Sequence, residues 1–129
     1  MKFEFNRLGI EIIIESNFIL LKPPRELELG NILMSIAMLF TIPEFQEKND
    51  IWLLREGQSN ILYSDLDKIK YIAEIYHPKS DIRRKTAIVV NDDIQLSLAV
   101  LYSDMGIDLP REISIFRELK SAKQWVIEE

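Results

Sequence analysis

Cysteine is missing from the 129 residues altogether, which excludes disulfides, thiolate nucleophiles and zinc sites of the finger or ribbon kind. Histidine occurs once, as His77 directly before Pro78. A catalytic triad needs a base that shuttles protons near neutral pH, and a single histidine at an expected helix end reads as a dipole partner or surface residue instead. Glycine is sparse as well: Gly9, Gly30, Gly57 and Gly106 are scattered, whereas phosphate loops cluster glycine so that backbone amides can approach the ligand. Positive charge is in deficit, with 16 Lys and Arg against 21 Asp and Glu, and the longest basic run is only Arg83-Arg84-Lys85. That balance argues against a nucleic-acid partner, whose phosphates are gripped by clustered cations. No apolar run approaches the roughly 20 residues needed to span a bilayer, and the first residues alternate charged and apolar instead of forming a signal-peptide core. These absences together point to a soluble, cytoplasmic protein.

What is present is an ordinary globular composition, 47% hydrophobic and 29% charged, enough for one domain over residues 1–129 with a real core. The chain is organised around Thr86-Ala87-Ile88-Val89-Val90. This short, apolar, β-branched run ends in Asn91-Asp92-Asp93, so it reads as a strand covered on both faces that feeds a helix. Asp92 is placed to cap the first free helical amides, Gln95 stands at the reciprocal capping-box position, and Gly106 closes the helix. Ile94, Leu98, Leu101 and Met105 share one face by spacing and are expected on the sheet; Leu96, Ala99 and Val100 point nearly the opposite way.

The rest of the chain repeats the alternation. Lys2 to Phe5, Ile10 to Glu15 and Phe18 to Leu21 are strand-like, with Gly9 a break and Ser16-Asn17 a tight turn, so an antiparallel hairpin at a sheet edge is expected, its second run half exposed. After Pro23-Pro24 comes a helix with Leu29, Ile32, Leu33, Ile36 and Phe40 on one side and Met34, Met38, Asn31 and Ser35 on the other, ended by Pro43. Lys48-Asn49-Asp50 reads as a polar turn before the buried strand Ile51 to Leu54. Ser64 reads as the hydroxyl cap of a helix striped by Leu66, Ile69, Ile72, Ala73 and Tyr76, which Pro78 ends. After Pro110 a last strand, Ile113 to Phe116, leads into a helix with Leu119, Ala122, Trp125 and Val126. The reading is an α/β fold with a mixed sheet: an amino-terminal antiparallel hairpin followed by strand-helix repeats, about five strands and four helices, joined by parallel crossovers.

Pro43-Glu44-Phe45, Ile51-Trp52-Leu53-Leu54-Arg55, Lys85 to Asp92 and Ile113 to Val126 together resemble the SpoIIAA-like superfamily, the STAS and SEC14-like domains. The closing Phe-Arg leading into a helix with a late Ala and Trp is similar to that family's last strand and helix. The resemblance covers nearly the whole chain, and its motifs are packing motifs. It implies a regulatory or binding module. In the anti-sigma antagonist branch a serine at a helix start is phosphorylated, and Ser64 is the nearest counterpart here, although the Asp-Ser-Ser-Gly-like sequence is missing. SEC14-like relatives imply a lipid or other small apolar ligand.

No constellation of catalytic residues stands out. An all-carboxylate metal site at Asp92 and Asp93 competes with their stronger reading as caps, and neither metal nor cofactor is expected. Receiver-type phosphotransfer is rejected, because the middle strand ends in Arg55 and the acidic pair comes late. The expectation is a non-enzymatic module working through protein contacts, with a partner or a second copy of the chain at Met34, Met38, Leu96 and Val100. The alternative is a carrier of a lipid or small apolar ligand, for which Arg55, Tyr63, Ser64 and Asp92 are the candidate contacts; an enzyme using those residues, or a phosphoserine switch, comes behind both.

Overall fold

The computed structural model describes residues 3–76, 83–105 and 111–128. The chain begins with three antiparallel strands, β1 (Phe3–Arg7), β2 (Ile10–Ile14) and β3 (Phe18–Lys22). Leu8 and Gly9 both take positive φ, 57° and 78°, which is the geometry a two-residue turn needs to follow the twist of its flanking strands. The second turn, at Ser16-Asn17, is closed by Glu15 N donating to Phe18 O at 2.9 Å.

From β3 onward every strand is parallel to the last. The chain runs through α1 (Leu29–Phe40), a short 3₁₀ helix at Pro43–Gln46, β4 (Asn49–Leu53), α2 (Tyr63–Tyr76), β5 (Arg84–Val89), α3 (Asp93–Met105), β6 (Arg111–Phe116) and α4 (Leu119–Ile127). The six strands lie side by side in chain order. Each parallel crossover therefore steps to the next position in one direction, and crossovers of one hand lay their helices on one face. Accordingly α2 packs between α1 and α3, while α4 sits against β4, β5 and β6. The architecture is the expected mixed α/β sheet with strand-helix repeats, β1 adding a further antiparallel strand outside the hairpin.

Two-residue periodicity sorts the side chains onto these faces. Ile13, Phe18, Leu20, Ile51, Ala87 and Val89 pack under Ala122 and Val126 of α4. Ile10, Ile12, Ile14, Ile19 and Leu21 pack under Leu39, Ile42 and Phe45. Thus β2 is buried on both faces at its end and not half exposed, because β1 displaces it from the edge. Strand β5 lies inside the sheet: Ala87 and Val89 on its α4 face are buried, as is Val90 just beyond it, whereas Thr86 and Ile88 on the other face are half-buried and not fully covered as expected.

Lys85 fixes the carboxyl end of α4. Its Nζ donates to Trp125 O at 2.9 Å and Glu128 O at 3.1 Å and lies 5.1 Å from the Trp125 ring centroid, a cation placed where the helix dipole is negative. Asn49 adds a bond from its Nδ2 to Val126 O at 2.6 Å.

Several local expectations are corrected. Helix α2 begins one residue before Ser64, and the cap contact comes from Asp65, whose Oδ2 accepts from Leu62 N at 2.9 Å. Asp50 is no turn residue but the second residue of β4. On α3, Gln95 and Ala99 are buried and Leu98, Tyr102 and Met105 face the core, whereas Ile94 is 64% exposed and Leu101 also faces outward. On α1, Ser35 faces inward, its hydroxyl donating to Asn31 O at 2.8 Å. The expected helix ends at His77-Pro78 and Gly106, the side chain of Tyr76, and Pro110 lie outside the described residues.

Candidate functional site

Beneath α1, α2 and α3 the sheet does not meet the helices completely, and a cavity of about 150 Å³ remains. Its roof is Ile32, Ile36 and Phe40 from α1, Leu66, Ile69 and Ala73 from α2, and Leu98, Ala99 and Tyr102 from α3; its floor is Trp52, Leu54, Ile88 and Ile113. These floor residues alternate along β4, β5 and β6 with the side chains that face α4, so one sheet supplies both a packed core and a hollow one. The small side chains Ala73 and Ala99 stand where larger ones would fill the gap.

One end of the floor is polar. Asp50 Oδ1 accepts from Arg111 Nη1 at 2.6 Å and from Thr86 Oγ1 at 2.7 Å, and Asp50 Oδ2 accepts from Trp52 Nε1 at 3.0 Å. Strand register explains the convergence: Asp50 is paired with Thr86 across the β4–β5 ladder, Thr86 with Ile113, and Arg111 stands two residues before Ile113 on the same face. Arg111 therefore reaches diagonally past β5. It also donates from Nη2 to Phe45 O at 2.9 Å and lies over the Phe45 ring, 4.1 Å from its centroid. Asp50 is 2% exposed and Arg111 5%.

Burial sets the electrostatics of this end. It lowers the Arg111 guanidinium from its ordinary range, with Asp50 opposing that change and Arg84 adding to it. Burial also pushes the Tyr102 phenol up to about 12, helped by the negative charges of Asp50 and Glu74. Tyr102 thus holds its proton and is a donor at any ordinary pH. This end of the floor is a hydrogen-bonded ion pair in which both oxygens of Asp50 are engaged, by Arg111, Thr86 and Trp52. Among the described residues no group of three or more His, Asp or Glu side chains is placed to hold a metal ion, and no helix is long and apolar enough to cross a membrane.

A strap borders the hollow, which is open over part of its surface. Leu27 N donates to Gln58 O at 2.9 Å and Asn60 N to Leu27 O at 2.7 Å, a parallel bridge that brings Leu27 and Ile61 to the cavity wall. Only glycine fits at position 57 in this strap, because a Cβ there would stand 2.4 Å from Arg25 O.

Comparison with protein-family models, curated proteins and solved structures returns no match. The site therefore has to be read from its own chemistry.

The residues singled out from sequence fall into separate places. Arg55 and Asp92 are joined through Gln95, which donates from Nε2 to Arg55 O at 3.0 Å and from its backbone N to Asp92 Oδ1 at 2.7 Å. Gln95 also accepts from Asn91 N at 2.7 Å, one residue away from the Asp92 amide that a full capping box would use. The Arg55 guanidinium itself turns away to Glu11 at 3.2 Å. Tyr63 and Ser64 are exposed at the start of α2. Of the four, none lines the cavity; Gln95 does. Met34 and Val100 are 46% and 42% exposed, Met38 packs partly against the α1 side of the core, and Leu96 is half buried. Asp50, Thr86, Tyr102 and Arg111 were not marked by any sequence motif; for the three strand residues the signal was a polar residue alternating with apolar ones, whereas Tyr102 lies on the α3 face that apolar spacing passed over.

Proposed function

We propose that this chain is a non-enzymatic binding module of the SpoIIAA-like kind, and that what it binds is a small, largely apolar molecule held under α1, α2 and α3. The observation that carries this reading is the apolar cavity of about 150 Å³. The hollow is half open, and apolar clefts with a few polar groups at their wall are where small molecules ordinarily bind. The unbroken succession of crossovers stepping one way across the sheet supports the superfamily resemblance, and the absence of cysteine suits a reducing compartment such as the cytoplasm.

The experiment is native mass spectrometry on the freshly purified chain, followed by toluene titration monitored by isoleucine-methyl NMR. A copurifying small molecule, or saturable changes at Ile36, Ile69 and Ile88, is the expected result. A chain that arrives empty and whose methyl resonances ignore toluene overturns the reading.

A second reading, a module acting through protein contacts or as a homodimer, is favoured by the exposed apolar side chains Met34 and Val100, with Tyr71 and Ile75 also exposed on α2. Light scattering at high micromolar concentration decides it: a dimer dissociated by Val100→Glu supports the reading, and a monomer removes self-association.

A further inference from the structure

We propose that residues 56–61 form a gate on the hollow, a segment that lifts off Leu27 to admit or release an apolar ligand and closes against it again. This rests on the reading that the hollow is a binding site and names the part of the chain that controls access to it.

The segment is pinned at its ends and lightly held between them. At its start Arg55 O accepts from the buried Gln95 side chain at 3.0 Å, and at its end Leu62 N donates to Asp65 Oδ2 at 2.9 Å. Between those anchors its hydrogen bonds among the described residues are the two of the Leu27 bridge, from Leu27 N to Gln58 O and from Asn60 N to Leu27 O. Glu56, Gly57, Gln58 and Asn60 are exposed. A segment with so few buried contacts opens locally at less cost than the core.

Ser59 favours opening. Its hydroxyl oxygen is shielded from solvent and has no hydrogen-bond partner among the described residues, a cost that the closed segment carries and that water removes once the segment lifts. Ile61 favours closing. It stands in the wall of the hollow, so a ligand lodged against it gains apolar contact that only the closed segment presents. Two opposed tendencies of this kind make an equilibrium that a ligand shifts through its preference for one state. Because the hollow is already half open, the gate widens an existing mouth and does not unseal a closed chamber.

The test is amide hydrogen exchange of the full chain with and without saturating toluene, whose occupancy is read separately from the methyl resonances of Ile36, Ile61, Ile69 and Ile88. The amides of Leu27 and Asn60, which hold the bridge, are expected to exchange far faster than those of Leu54 and Val90, which donate to Val89 O and Phe116 O across the sheet. Toluene is expected to slow the bridge amides. Ser59→Ala, without toluene, is expected to slow them by about fivefold or more, the low end of what a buried hydroxyl without a partner costs. Bridge amides that exchange no faster than the sheet amides show that the segment opens only when the chain unfolds, and overturn the gate. A methyl response to toluene with bridge exchange unchanged also overturns it, while leaving the binding reading intact. Bridge exchange unchanged or faster in Ser59→Ala overturns the role given to that hydroxyl. No methyl response to toluene overturns the binding reading and the gate with it.

Discussion

Arg111 and Asp50 stand 61 residues apart in the chain, and their side chains meet at 2.6 Å in the interior. The desolvation of two ions is offset here by geometry, since Asp50 accepts from Thr86 and Trp52 as well and Arg111 reaches Phe45 O. Removing one partner strands the other as a buried charge. Arg111→Leu is expected to destabilise the chain by about 3–5 kcal/mol. The double variant Asp50→Leu with Arg111→Met, which removes both charges, is expected to cost less than Arg111→Leu alone. Urea unfolding followed by circular dichroism measures both.

Tyr102 makes stability fall at alkaline pH. Its phenol is pushed up to about 12 in the folded chain from the ordinary 10.0, so the folded state holds a proton that the unfolded state releases. The contribution is fully present below pH ~10 and is lost as pH rises towards ~12, and a rise of that size corresponds to about 2–3 kcal/mol. Other tyrosines and lysines titrate in the same window. The quantity to measure is therefore the difference in pH dependence between the wild-type chain and Tyr102→Phe, and the variant is expected to have the flatter profile between those limits.

Two glycines are expected to respond in opposite directions to alanine. At Gly57 the new Cβ would meet Arg25 O at 2.4 Å, so the strap has to move and the Leu27 bridge weakens. Overpacking of this kind costs about 1–3 kcal/mol. At Gly30, within α1, a Cβ meets nothing within 4 Å. Alanine there removes unfolded-state entropy and is expected to stabilise by about 0.5–1 kcal/mol. Thermal unfolding of the two variants reads the sign of each effect.

The alternation of strands and helices was legible because it is written locally. β-Branched runs mark β2 and β5, Asp92 caps the start of α3, and Pro43 follows the end of α1. The candidate site was not legible, for a reason visible at Asp50. In sequence it closes the polar run Lys48-Asn49-Asp50, which is what a turn looks like. Its placement in a buried strand is satisfied only by Arg111, Thr86 and Trp52, and partners as distant as the first two leave no periodic trace. Helix α3 misled in another way: its inward face carries a polar residue, Gln95, and a small one, Ala99, while the larger Ile94 and Leu101 lie outside. Apolar spacing alone finds the largest stripe. It does not find the stripe that leaves a hollow.

Gln95 is where the capping signal seen in sequence turns into tertiary structure. With 1% exposure, its side-chain oxygen accepts from Asn91 N at 2.7 Å and its side-chain nitrogen donates to Arg55 O at 3.0 Å, so the loop leaving β5 is tied to the loop leaving β4. Asp92 contributes only the cap itself, a bond from Gln95 N at 2.7 Å. Asp92→Ala is therefore expected to cost about 1 kcal/mol, the ordinary worth of a helix cap. Gln95→Leu keeps the volume but leaves the Asn91 amide and the Arg55 carbonyl without their partner, and about 2–4 kcal/mol is expected. Because the two side chains hold the same turn, the double variant is expected to lose less than the sum of the single losses, a coupling that a double-mutant cycle in urea measures. Leucine at position 95 also leaves the cavity wall apolar. A Gln95→Leu chain that unfolds at lower urea yet still binds toluene would separate the scaffold's stability from its capacity to hold a ligand.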